Sequence, residues 1–99
     1  SQGLALRLAT ERPGEFAAVL DDRINLATRT CFSRPPNATE TKLLRDYVRH
    51  QASSFRQDSA AAMSLTTPAL RQLLDAPEAA SLVLLARTLF NADNFITRE

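Results

Sequence analysis

The segment SLVLLARTLFNADNFITRE, Ser81 to Glu99, reads as a strongly apolar helix from Leu82 to Phe90. Asn91, Asp93 and Asn94 then interrupt the pattern with a cluster of turn-forming residues. Phe95 and Ile96 follow, four and three residues short of the last position. Large apolar side chains so placed need cover. They either complete the packing of their own core or belong to a patch that docks on another domain. Phe90, Phe95 and Ile96 are the candidate contact residues on the second reading.

Upstream, the same helical periodicity recurs between punctuation residues. Both glycines and all five prolines fall at expected boundaries, which suits helices joined by short turns. A first short helix is expected from Leu4 to Glu11, stopping at Pro13-Gly14. A second runs from about Glu15 to Phe32, with Phe16, Val19, Leu20, Ile24, Ala27 and Cys31 forming one apolar stripe. Asp21, Asp22, Arg23 and Arg29 lie mostly off that stripe. Pro35-Pro36 closes it, because a residue before proline is pushed out of helical geometry.

Asn37 with Glu40 three residues later resembles a capping box that opens a third helix. Leu43, Leu44, Tyr47, Val48, Gln51, Ala52 and Phe55 are its expected apolar face. Asp58 is placed to cap a short helix holding Ala60 to Leu65. Thr67 before Pro68 opens another, Ala69 to Leu74. Asp75, Pro77 and Glu78 repeat that arrangement for the last long helix, about Ala76 to Asn91. No period-2 run is long enough for a strand. The expectation is therefore an all-α fold: a compact bundle of four to five helices with short loops, forming a single domain over residues 1–99.

Bulk properties bound the function without selecting one. The 99 residues suffice for one domain, burying roughly 60–65% of the unfolded surface. No apolar run approaches the ~20 residues that span a bilayer. Ser1-Gln2-Gly3 shows no signal peptide. At a net charge of +1, nothing global suggests a polyanionic partner. Eleven of the twelve basic residues are arginine, the residue favoured for bidentate pairing with carboxylates and phosphates, although composition bias alone gives the same count. The single cysteine, Cys31, excludes an internal disulfide and a cysteine-rich metal site, and reads as a small buried hydrophobe.

Candidate chemistry is sparse. His50 falls on the polar side of the third helix with no nucleophile near it, so it reads as a solvated histidine. Asp21 and Asp22 are adjacent on a helix and point about 100° apart, unsuited to a shared-proton dyad. One His and one Cys cannot make a structural zinc site, and no EF-hand loop is present. Two isolated glycines supply no phosphate cradle. Asn37-Ala38-Thr39 matches the N-glycosylation pattern, but helix capping already explains it. No catalytic, cofactor-binding or metal-ligating residue is expected, and the isolated domain is expected not to be an enzyme. Lys42, Arg45, Arg49 and Arg56 recur on one side of the third helix. That face could follow a phosphate backbone, although Asp46 and Asp58 sit nearby and no arm or interleaved aromatic set accompanies it.

Two motifs carry a family resemblance. Arg34-Pro35-Pro36-Asn37-Ala38-Thr39-Glu40 resembles the R-x-P-T-x-x-E turn and helix start of a planctomycete-specific domain of unknown function. Leu85 to Glu99, LARTLFNADNFITRE, is similar to its closing segment. The similarity covers about residues 15–56 and 76–99; the family's tryptophan early in the last helix is replaced by Leu82, and its acidic residue before the phenylalanine by Asn94. The resemblance implies the C-terminal module of a large exported bacterial protein, many of which carry cytochrome-c-like modules, and hence a periplasmic or envelope setting for the parent. It also implies that Glu99 lies near a natural C-terminus and that Ser1 is a cloning remnant. The haem motif Cys-x-x-Cys-His is absent from these residues. The expected function is a non-enzymatic module that packs on the remainder of its parent chain or on another protein. The alternative is a helical nucleic-acid-binding domain using the Lys42/Arg45/Arg49/Arg56 face. A third reading lends Arg34 or Arg87 to a composite active site as anion clamps.

Overall fold

A helix that is apolar around most of its circumference must be largely enclosed by others, and α6 (Ala76–Phe90) is enclosed in this way, leaving Arg87 and Phe90 exposed near its end. The computed structural model describes residues 1–91; Phe95 and Ile96 lie outside them. Within α6, Ala79, Ala80, Ser81, Leu82, Val83, Leu85, Ala86 and Leu89 are all buried. Five helices surround it: α1 (Gln2–Glu11), α2 (Phe16–Phe32), α3 (Ala38–Arg56), α4 (Ser59–Leu65) and the single turn α5 (Pro68–Arg71). Each packs directly against α6, with α3 its most extensive partner. The described residues contain six helices and no strand. The fold is the expected all-α bundle; a helix is found at each segment read from the sequence, with the Ala69–Leu74 segment shortened to the single turn α5.

The caps follow from the polar residues at each helix start. Asn37 Oδ1 accepts from the Glu40 amide at 2.8 Å, and the Glu40 carboxylate accepts from the Asn37 amide at 2.9 Å, completing the capping box. Asp58, Thr67 and Asp75 cap α4, α5 and α6 through side-chain oxygens. Glu15 does the same for α2. Gly14 turns the chain between α1 and α2 at φ +139°, where an added Cβ would sit 2.8 Å from Val19 Cγ1. The loop therefore needs glycine for both its backbone and its space. Gln2 donates to the Leu65 carbonyl, tying the start of α1 to the end of α4.

Two expectations about faces need correction. Leu43 is 54% exposed. The buried stripe of α3 is Leu44, Val48, Ala52 and Phe55, and Leu43 stands one position, about 100°, away from it. On α2, Leu20, Ile24 and Ala27 are buried as expected, while Phe16, Val19 and Cys31 are only half-buried. Arg23, expected off the stripe, is buried instead, and Thr28 is buried with it. Arg23 is 1% exposed. Its Nε donates to the Arg12 carbonyl at 3.0 Å, and its guanidinium stands 5.9 Å from the centroid of the Phe16 ring.

The enclosure of α6 and the exposure of Leu43 predict opposite responses to the same substitution. Leu85→Ala should cost about 2–5 kcal/mol in urea unfolding, whereas Leu43→Ala should stay within about 0.5 kcal/mol of the parent. Equal losses at the two positions would contradict this packing.

Candidate functional site

The basic side of α3 is matched by carboxylates. Lys42 Nζ pairs with Asp46 at 2.9 Å. Arg45 grips Asp21 on α2 with both prongs, at 2.8 and 3.0 Å. Arg56 reaches Glu78 on α6 at 3.5 Å. Hydrogen bonds from Arg45 and Lys42 hold the Asp21 and Asp46 carboxyls below their ordinary values, and Asp21 raises Arg45 in return. Of the four cations, Arg49 alone makes no side-chain hydrogen bond or ion pair among the described residues. A face neutralised in this way releases few counterions. Random duplex DNA titrated at low salt should therefore show no binding that Arg45→Gln or Arg49→Gln weakens; a steep, salt-dependent affinity lost in those variants would restore the nucleic-acid reading.

Residues with catalytic or ligating chemistry are dispersed. His50 is exposed on α3. Cys31 is half-buried near the end of α2, where burial pushes its thiol up, away from the reactive thiolate. No group of three or more His, Cys, Asp or Glu side chains that could hold a metal occurs among the described residues. Of the two proposed anion clamps, Arg34 forms a two-pronged pair with Glu40 at 2.8 and 3.1 Å. The same carboxylate closes the capping box, so this pair fixes the turn between α2 and α3. Arg87 is exposed in the last turn of α6.

Five large apolar side chains are exposed among the described residues, Leu6, Leu43, Met63, Leu73 and Phe90, and two of them, Leu43 and Phe90, share one end of the α3–α6 pair. The Thr88 hydroxyl of α6 donates to Tyr47 of α3 at 3.1 Å, whereas Phe55 at the other end of α3 packs with Ala76 and Ala80 at the start of α6. The two helices are therefore antiparallel. The beginning of α3, with Leu43, lies at the same end as the close of α6, with Phe90, which is 55% exposed. Half-buried Phe32, at the end of α2 just before the Arg34–Glu40 turn, belongs to this end too. Of these three, sequence reading placed only Phe90 in a contact. A Leu-Leu pair on a helix cannot put both residues on a narrow stripe; that signal says that one of Leu43 and Leu44 is displaced from it, without saying which.

At the opposite end, Glu15, Phe16, Ala17, Arg49, Ala52, Arg56 and Glu78 line a cleft of about 310 Å³. Burial and neighbouring Asp75 raise the Glu78 carboxyl, against the pull of Arg56 and Arg23. A raised carboxyl pKa favours the folded state only while the group is protonated. That contribution is full below the ordinary value of 4.5 and is lost as pH rises through the folded value. Glu78→Gln should consequently raise Tm at neutral pH relative to the parent, with the difference vanishing near pH 3. A Tm deficit at neutral pH would mean that the Arg56 pair outweighs desolvation.

No helix among the described residues is long and apolar enough to cross a membrane. Comparison with protein-family models, curated proteins and solved structures found no match to this chain.

Proposed function

We propose that this chain is a non-enzymatic helical packing module, docking through the Leu43/Phe90 end onto the remainder of a larger polypeptide. The observation that carries the reading is the gathering of exposed Leu43 and Phe90 with half-buried Phe32 at one end. Monomeric surfaces tolerate scattered apolar residues, but a grouped set marks a contact region. Phe95 and Ile96 follow Phe90 closely in sequence and lie outside the described residues. The resemblance of the Arg34–Glu40 and Leu85–Glu99 segments to the C-terminal domain of large exported bacterial proteins supports the remainder of the parent chain as partner, and a periplasmic or envelope location. The ion pairs of Lys42, Arg45 and Arg56 count against the nucleic-acid alternative.

Hydrogen-exchange footprinting tests the reading by comparing the module alone with the same residues inside its full-length polypeptide. Amides flanking Leu43 and Phe90 should gain protection in the full-length protein. A Leu43→Ser/Phe90→Ser double variant should lose that gain while keeping the Tm of the isolated module within a few degrees, as expected for exposed sites. Unchanged exchange at this end, or protection confined to another face, would sink the docking reading.

A further inference from the structure

The side of the molecule formed by α1 and α2 carries a second feature, unrelated to the apolar end. Arg7, Glu11, Arg12, Asn25, Leu26, Arg29 and Thr30 line an open cleft of about 630 Å³. Three guanidiniums thus face one carboxylate. That carboxylate is already engaged, since Glu11 accepts from Arg7 Nε at 2.9 Å. The bond uses one of the five Arg7 N–H donors. Arg12 spends a single Nη1 bond on the Glu11 carbonyl at 3.0 Å. The Arg29 side chain makes no hydrogen bond or ion pair among the described residues. The contrast with α3 is direct: there, carboxylates match three of four cations, whereas here most guanidinium donors remain unspent.

Arg12 is also held in place from behind. Its carbonyl accepts the Nε of buried Arg23 at 3.0 Å, so the loop residue that carries one cleft guanidinium is anchored to the interior. Arg29 projects from the last turn of α2 and Arg7 from the middle of α1. The cations therefore come from two helices and the loop that joins them.

We propose that this cleft binds a small phosphoryl polyanion of the diphosphate type, with Arg12 and Arg29 as the principal contacts and Arg7 as a third. Planar guanidiniums pair bidentately with phosphoryl oxygens. Cations spread across a cleft of this size suit a ligand with two phosphoryl groups better than one with a single charge. Asn25 places a carboxamide donor in the same lining. The Thr30 hydroxyl gives its proton to the Leu26 carbonyl at 2.8 Å and offers the anion no donor. Glu11 works against binding, both by its charge and by occupying Arg7.

Titration of the chain with inorganic pyrophosphate at low salt, followed by backbone and arginine side-chain NMR, tests the assignment. Shifts should centre on residues 7–12 and 25–30. Arg29→Gln and Arg12→Gln should each weaken binding about tenfold, as expected for loss of a charge-assisted pair. Glu11→Gln should strengthen it several-fold by freeing Arg7. Arg45→Gln, on the paired α3 face, should leave affinity unchanged, and circular dichroism of each variant confirms that it is folded. Citrate should bind more weakly than pyrophosphate. Any of three results would overturn the proposal: no saturable shift by about 10 mM pyrophosphate, affinity indifferent to Arg29 and Glu11, or citrate binding equally well.

Discussion

Everything in this molecule is arranged around the need to remove α6 from water. A helix bearing Leu82, Val83, Leu85, Ala86 and Leu89 within about two turns leaves little of its surface to solvent, chiefly Arg87 and Phe90 near its end. Its stability comes from what surrounds it rather than from helix propensity. Helices α1, α2 and α3 each direct one buried stripe inward, while α4 and α5 contribute one buried residue each, Ala62 and Leu70. Small residues make the close approach feasible. Ala79, Ala80, Ser81 and Ala86 are all buried along α6, and they let the neighbouring backbones come near without voids. The Ser81 hydroxyl is satisfied internally by the Glu78 carbonyl at 2.7 Å, so the one polar side chain in the buried run costs little.

Arg23 departs from this economy. Burial lowers its pKa, with Glu78 pulling the other way, and its Nη1 is buried without a hydrogen-bond partner. A buried charge is normally costly and contributes little net stability. The return here is positional: the side chain links the middle of α2 to the end of α1 and covers Phe16. The loop around Gly14 is thereby held from inside by a hydrogen bond rather than by apolar packing. This bond also joins the two faces discussed above, since Arg12 lines the α1–α2 cleft and Phe16 the one at the start of α2.

Much of the fold was legible because its signals are local. Asn37-x-x-Glu40, Asp58, Thr67-Pro68 and Asp75 act through neighbours three residues away, and each does so in the structure. The errors arose where tertiary context decides. The ranking of Leu43 against Leu44 depends on how α3 rolls against α6, which no periodicity resolves to within 100°. The burial of Arg23 depends on a carbonyl eleven positions earlier coming within reach. The basic face of α3 illustrates the same limit from the functional side. Its spacing was read correctly, but two of its partners, Asp21 and Glu78, come from other helices, and the sequence holds no record of that pairing. The Arg7/Arg12/Arg29 cleft was missed because its members are separated by a turn, so no single-helix pattern contains them.

The central position of α6 has a consequence for biosynthesis. Ribosomes deliver the chain from its amino end, so α1 to α5 all emerge before the element they are built to enclose. Until residues 76–90 clear the exit tunnel, five segments hold their apolar residues without a shared partner, during a delay of several seconds at typical elongation rates of about 5–20 residues per second. Completion of the core is thereby deferred to the end of the module's synthesis, and a nascent chain stalled before Ala76 keeps that apolar surface uncovered.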